Sequence, residues 1–194
     1  SLLRKAGPAG APPLAAALAT QGGLEGDLGD FAAADRSYRE SLVLRRKIFG
    51  AGHPDEIGTL VNLGANALAA ARYHDALAWA DSVIARIGPE ALPPDHPLVG
   101  AARTVRGRAL TGLGRLPDAE GELRAALALR RAGLPPGHPA LGYTLLALGE
   151  AISRQGRPAE ARPFVAEAKA VLLAAFGPDH PRTKAAAEQL RRLD

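Results

Sequence analysis

Cysteine and methionine are both missing from this 194-residue chain, methionine even at position 1. Without cysteine there is no disulfide frame, no thiolate metal site and no cysteine nucleophile to consider. Aromatic residues make up only 4%, with Trp79 the single tryptophan. Alanine and leucine must therefore do most of the packing, and small side chains favour close helix contacts. Lysine is confined to positions 5, 47, 169 and 184, so arginine carries most of the positive charge. Long hydrophobic runs are absent too. The apolar stretch Leu14 to Ala19 follows Pro12-Pro13 and is too short for a signal-peptide core or a membrane span. The expectation is a cytoplasmic protein with no membrane partner.

What is present is ordinary for a folded chain: 47% hydrophobic and 23% charged residues, far from the composition of disorder. The formal charge of +4 is too small to argue for nucleic acid. The basic residues are scattered in pairs, Arg45-Arg46, Arg130-Arg131 and Arg191-Arg192, mostly towards expected helix ends, where cations suit the negative end of the dipole.

One dipeptide sets the register. His-Pro stands at His53-Pro54, His96-Pro97, His138-Pro139 and His180-Pro181, in steps of 43, 42 and 42 residues. Such a return marks a repeat array, one supersecondary unit copied and stacked on itself. Stepping back once more reaches Pro12, preceded by Ala11 in place of histidine. The expected units are residues 12–53, 54–96, 97–138 and 139–180, with 181–194 as a capping helix, all in one continuous domain. Residues 1–11 read as the end of an upstream repeat helix and its loop, so the chain is expected to enter within a longer array.

Other residues keep the same time. Each unit has a residue closing its first segment, Gly29, Ala71, Gly114 or Gly156, and an inner glycine seven before it: Gly22, Gly64, Gly107 or Gly149. An alanine lies twelve after each inner glycine: Ala34, Ala76, Ala119 and Ala161. The pattern predicts two antiparallel helices per unit. Proline at a first helical position costs no hydrogen bond, and the residue before it is pushed out of the helical region. Glycine suits the left-handed conformation that closes a helix. An inner glycine costs about 1 kcal/mol relative to alanine, so its recurrence predicts a close approach of the two helices, with the alanine as the facing small residue. Positions four and seven after that alanine share its face: Tyr38 and Ser41, Ala80 and Val83, Leu123 and Ala126, Val165 and Ala168. Gly22, Gly23 and Gly26 mark the first helix of unit one as the weakest. Arg106 stands where its neighbours have Leu63 and Leu148, a charge at a core phase unless it snorkels. In the final segment Ala186, Leu190 and Leu193 should face inward, with Lys184, Glu188 and Arg191 outward.

These phases resemble tetratricopeptide repeats, and the unit ending Phe176-Gly177-Pro178-Asp179-His180-Pro181 is similar to the 42-residue subtype of kinesin light chains and of many bacterial proteins. The resemblance implies an all-α fold, a right-handed superhelical solenoid of four antiparallel helix pairs plus the C-terminal capping helix. The family period is about 34 residues, so the extra length should extend the second helix and its exit loop. The resemblance also implies that the first helices line a concave groove. Carried over by phase, the partner-binding residues are Asn62, Thr104, Arg108, Tyr143, Glu150 and Arg154, of which Asn62 matches an asparagine used to hydrogen-bond a ligand's backbone.

Enzyme chemistry finds no footing. Four of the five histidines belong to the His-Pro register, and successive units are displaced by on the order of 10 Å, too far for one metal. The fifth, His74, reads as a turn residue. No phosphate loop, Gly-x-Ser-x-Gly elbow or His-Glu-x-x-His occurs. The expected function is a non-enzymatic scaffold without cofactor or metal, binding a protein or peptide in its groove. The alternatives are a regulatory module of a larger bacterial signalling protein, a helical-repeat array for RNA, and self-association through open array ends.

Overall fold

The computed structural model describes residues 11–88 and 92–193, which form nine α-helices and no strand. They are α1 (Ala11–Asp27), α2 (Phe31–Phe49), α3 (Pro54–Ala69), α4 (Tyr73–Ile84), α5 (Pro97–Gly112), α6 (Leu116–Gly133), α7 (Pro139–Arg154), α8 (Pro158–Phe176) and α9 (Pro181–Arg191). The reading of residues 1–7 as an upstream helix end lies outside the described residues. The chain divides into two compact units, residues 1–98 and 99–194.

The His-Pro dipeptides stand at helix starts. His53, His138 and His180 are the N-caps of α3, α7 and α9, with proline following at the first helical position. The residue that closes each first helix has positive φ, 84° at Gly29, 77° at Gly114 and 80° at Gly156. At the same register Ala71 is held at φ 55°. A Cβ in this region crowds the following carbonyl and costs about 1–2 kcal/mol.

Each pair is antiparallel, as cross-pair contacts show. Within the first unit Gly22 meets Tyr38, and Ala15, seven residues earlier, accepts a hydrogen bond from Ser41. Within the second, Gly149 faces Val165 and Gly142 faces Leu172. The inner glycines do mark a close approach, but the facing group differs from the expected one. A Cβ on Gly107 would lie 2.5 Å from Leu123 Cγ, and one on Gly149 would lie 2.3 Å from Val165 Cγ2. On Gly22 it would lie 3.0 Å from the Tyr38 ring. The space is thus filled by the side chain sixteen residues on. The alanine at twelve presents its backbone carbonyl to the glycine, at 3.2 Å from the Cβ position for Ala119 and 3.5 Å for Ala161. Helix geometry explains this, because the residue one turn after the alanine lies on the same face and is large enough to reach across.

All eight residues at the two predicted inward phases are buried, Tyr38 and Ser41 through Val165 and Ala168. Around them Ile57, Leu60, Leu63 and Leu92 fill the first unit, and Leu145, Leu148, Ile152 and Leu172 the second. Each such side chain contributes about 1.5–3 kcal/mol on burial. Despite its glycines α1 runs for 17 residues, as the Tyr38 ring covers Gly22.

Two local expectations need correction, and a third is met. The long second helix holds for α2, α6 and α8, at 18 to 19 residues, but α4 stops after 12. A continuing helix there would meet Gly88-Pro89, and a proline cannot donate the helical hydrogen bond. The chain instead makes a short bridge between Gly88 and Leu92, whose side chain is fully buried. Arg106 does snorkel: half-buried, it reaches Glu122 at 2.6 Å. In α9 it is Thr183 and Ala186 that are buried, Thr183 donating to the Leu172 carbonyl, while Leu190 and Leu193 are only half-buried.

Two substitutions should move stability in opposite directions. Gly149→Ala is expected to lower it by about 1–3 kcal/mol, because branched Val165 cannot swing away. Ala71→Gly should raise it by about 0.5–1 kcal/mol by relieving the positive φ, net of glycine's extra chain entropy. Urea unfolding measures both, and a neutral Gly149→Ala would refute the tight approach.

Candidate functional site

The repeats place one row of side chains outside the core on each first helix. The six predicted residues lie on α3, α5 and α7, and the structure separates them. Asn62 is exposed on α3. One turn later Asn66 is buried, and its amide donates to the Phe31 carbonyl at 2.9 Å, stitching α3 to the start of α2. Arg108 is exposed on α5.

Thr104 is not a surface residue. Only 6% exposed, its hydroxyl donates to the Gly100 carbonyl at 2.8 Å and lies 3.2 Å from the Thr144 hydroxyl. Three residues before the inner glycine is an inward phase, and a short β-branched side chain cannot leave it. Tyr143 is half-buried and serves the start of α9. The Arg182 guanidinium lies 4.3 Å over its ring, and Phe176 stacks at 6.3 Å on the ring system.

Glu150 and Arg154 do come together. They form an i,i+4 pair at 3.9 Å, and Arg154 also donates to the Thr111 carbonyl of α5 at 2.8 Å. With Ser153 they form one wall of a cavity of about 440 Å³; Glu188 and Gln189 of α9 and Arg192, which caps its C-terminus, form the other. Glu188 accepts from Arg192 at 3.2 Å. The α9 residues escaped the sequence reading because that helix was taken as a solvating cap. Its His-Pro start was the signal that it occupies the place of a further first helix.

Behind this surface, one buried and two half-buried carboxylates tie one helix pair to the next. Glu56, fully buried at the start of α3, accepts from the Gly52 N–H, from Arg46 of α2 at 2.8 Å and from Arg86 at 3.4 Å. Burial alone would raise its pKa; the Gly52 and Arg46 hydrogen bonds and the charges of Arg86 and Arg46 outweigh it and hold the carboxyl below the usual glutamate range. Asp35 is likewise lowered against its own desolvation, by Arg39 and Arg72, the latter at 3.1 Å. In the second unit Glu120 gathers Gln155 at 2.8 Å, Arg124 at 2.7 Å and Arg157 at 2.7 Å, which again outweigh burial and lower it. Burial pushes Arg130 down to about 10, where it donates to the Ala140 carbonyl and the Thr144 hydroxyl. These groups are held in fixed charge states and stitch helices together, whereas the outer row carries exposed donors and acceptors. Among the described residues, no group of three or more His, Cys, Asp or Glu could hold a metal ion, and no helix is long and apolar enough to cross a membrane.

A family model described as tetratricopeptide repeat matches residues 13–87, and a second of the same description matches residues 99–140 and 141–182. Among solved structures, the chain is similar to two crystal structures of a Podosopora anserina protein described as a kinesin light chain with nearly identical TPR-like repeats, one of them a point-substituted form. They superpose with TM-scores of 0.69 for the substituted form and 0.68 for the other, each at 20% identity over 91% of this chain and 83% of that one. At that identity the likeness speaks to the fold. No curated protein matches the sequence.

Glu56 offers a test of the buried stitching. Glu56→Gln is expected to cost about 2–3 kcal/mol at neutral pH, since Arg46 and Arg86 lose their counter-charge. Because the folded pKa is lowered, this stability is complete above the ordinary glutamate range and disappears as the pH falls through the folded value. Chemical denaturation of both proteins should therefore converge on acidification; a gap that stayed constant down to the acid limit would show that the charge is not responsible.

Proposed function

The chain belongs to the tetratricopeptide repeat family, and from that premise we propose that it is a non-enzymatic scaffold holding a peptide segment or partner domain against the outer row of its first helices. Repeats of this family mediate protein–protein interactions. A cytoplasmic setting goes with this reading.

The observation that supports it best is the cavity between α7 and α9. It is lined by two oppositely charged pairs, Glu150 with Arg154 and Glu188 with Arg192, and by the amide of Gln189. An extended peptide carries unpaired N–H and C=O groups, which carboxylates, guanidinium groups and a primary amide can satisfy with both donors and acceptors. Alanine and leucine at Ala185 and Leu193 supply apolar area beside them. Thr104 is buried and has no part in this surface, and Tyr143, packed against Arg182 and Phe176, does not line the cavity.

Partners retained by the intact chain in a pulldown, once identified, give the ligand for calorimetry. Glu150→Ala with Arg192→Ala, and separately Asn62→Ala with Arg108→Ala, should each weaken binding about 5- to 50-fold, with far-UV circular dichroism unchanged. Full affinity in both double variants would overturn the outer row as the binding surface.

A further inference from the structure

The four His-Pro joints share one hydrogen bond that the stacking of repeats does not require. The N–H two residues after each histidine donates to its Nδ1: Asp55 to His53 at 3.2 Å, Leu98 to His96 at 3.1 Å, Ala140 to His138 at 3.1 Å and Arg182 to His180 at 3.2 Å. An N-cap satisfies an amide that the helix leaves without an intrahelical partner. Imidazole can do this only as the neutral tautomer with its proton on Nε2. Protonation replaces the acceptor by a second N–H pointing at an amide N–H, and puts a positive charge at the positive end of a helix dipole. Serine, threonine, aspartate and asparagine cap helices without this liability in the range where imidazole titrates.

We propose that the His-Pro joints form a pH-sensitive device, in which the caps of successive first helices are made on neutral rings and released when those rings gain a proton in mild acid. Neighbouring charges set an order among them. At His138 the cation Arg130 reaches from α6 to the Ala140 carbonyl, and the first turn of α7 has no acid, so protonation is most disruptive there. At His53, Asp55 and Glu56 stand in the first turn of α3, while Arg45 and Arg46 of α2 hold the Asp55 carbonyl and the Glu56 carboxylate; this joint is the more tolerant. Asp95 adjoins His96. At His180, Asp179 pairs with Lys184 at 3.1 Å and Arg182 lies over Tyr143. His53 and His180 also stack on Phe49 and Phe176 at 4.5 and 4.3 Å. A ring face accepts either a neutral or a cationic imidazole, so the pH dependence rests on the lost acceptor.

Two measurements on the full chain test this. Nitrogen-15 NMR of the imidazoles at about pH 8 should show the Nε2–H tautomer at all four joints, and an Nδ1–H tautomer there would overturn the proposal. Melting temperature followed from about pH 8 to about pH 5.5, above the range where the buried carboxylates protonate, should fall by about 5 °C or more. Changing all four joint histidines to asparagine, which caps without titrating, should remove that fall, and His74→Asn should leave it in place. If the fourfold variant does not fold, His138→Asn alone should reduce the fall and slow the acid-induced exchange of the Ala140 amide. An undiminished fall in the asparagine variants would refute the device.

Discussion

The close approach at the inner glycine governs the rest of the architecture. With Leu123 Cγ only 2.5 Å from where a Cβ on Gly107 would sit, and Val165 Cγ2 2.3 Å from that on Gly149, the helices of a pair meet with one surface reduced to bare backbone. A seam that tight leaves room for alanine beside it and for one larger residue per turn across it. The alanine- and leucine-rich, aromatic-poor composition follows from that limit. Tyr38 is the exception that shows the rule, because its flat ring lies against Gly22 where Leu123 and Val165 stand in later pairs.

Two periods run through the chain. The apolar core repeats every 42 to 43 residues, but the polar stitching repeats every 85. Asp35 and Glu120 take the same place on α2 and α6, and Arg72 and Arg157 reach them from the turn of the following pair. Arg39 lies over Trp79 at 5.1 Å and Arg124 over Phe164 at 5.4 Å. Arg45 and Arg130 both donate to a first-turn carbonyl of the next helix, Asp55 and Ala140. Each compact unit thus carries its own copy of these contacts, while the Glu56 cluster belongs to the first unit alone. Burial of apolar area is non-directional and stacks any pair on any other. Charge pairs with desolvated partners specify one neighbour, and here they do so two pairs at a time.

Much of the fold was legible because it is written in residues with few uses. Proline at a helix start, glycine or Ala71 at the left-handed turn, and the inward phases of the second helices all follow from sterics and period. The outer row was less legible. Phase from the glycine places Thr104 and Arg108 four residues apart on one helix, and only burial distinguishes the threonine tucked against Gly100 and Thr144 from the arginine outside. Tyr143 could not be assigned from sequence because its partners, Phe176 and Arg182, come from the end of one helix and the start of another. The His-Pro dipeptides mark the register of the repeats, yet the capping role of the histidines depends on a ring rotamer that the dipeptide alone does not state.

The same economy bears on how such a surface would hold a ligand. Arg154 already serves Glu150 and the Thr111 carbonyl, and Arg192 serves Glu188. A ligand at this cavity would exchange partners with existing pairs and would not neutralise an isolated charge. Exposed pairs of this kind contribute about 0–1 kcal/mol each, so little energy stands in the way of the exchange, and little net attraction comes from it. On the proposed reading, affinity would come from apolar area laid beside Ala185 and Leu193, and the alternating signs along α7 and α9 would reject ligands whose charges fall out of step. Under the proposed function such a surface would select by register more than by strength, as the helices of the repeats are themselves matched to one another by register.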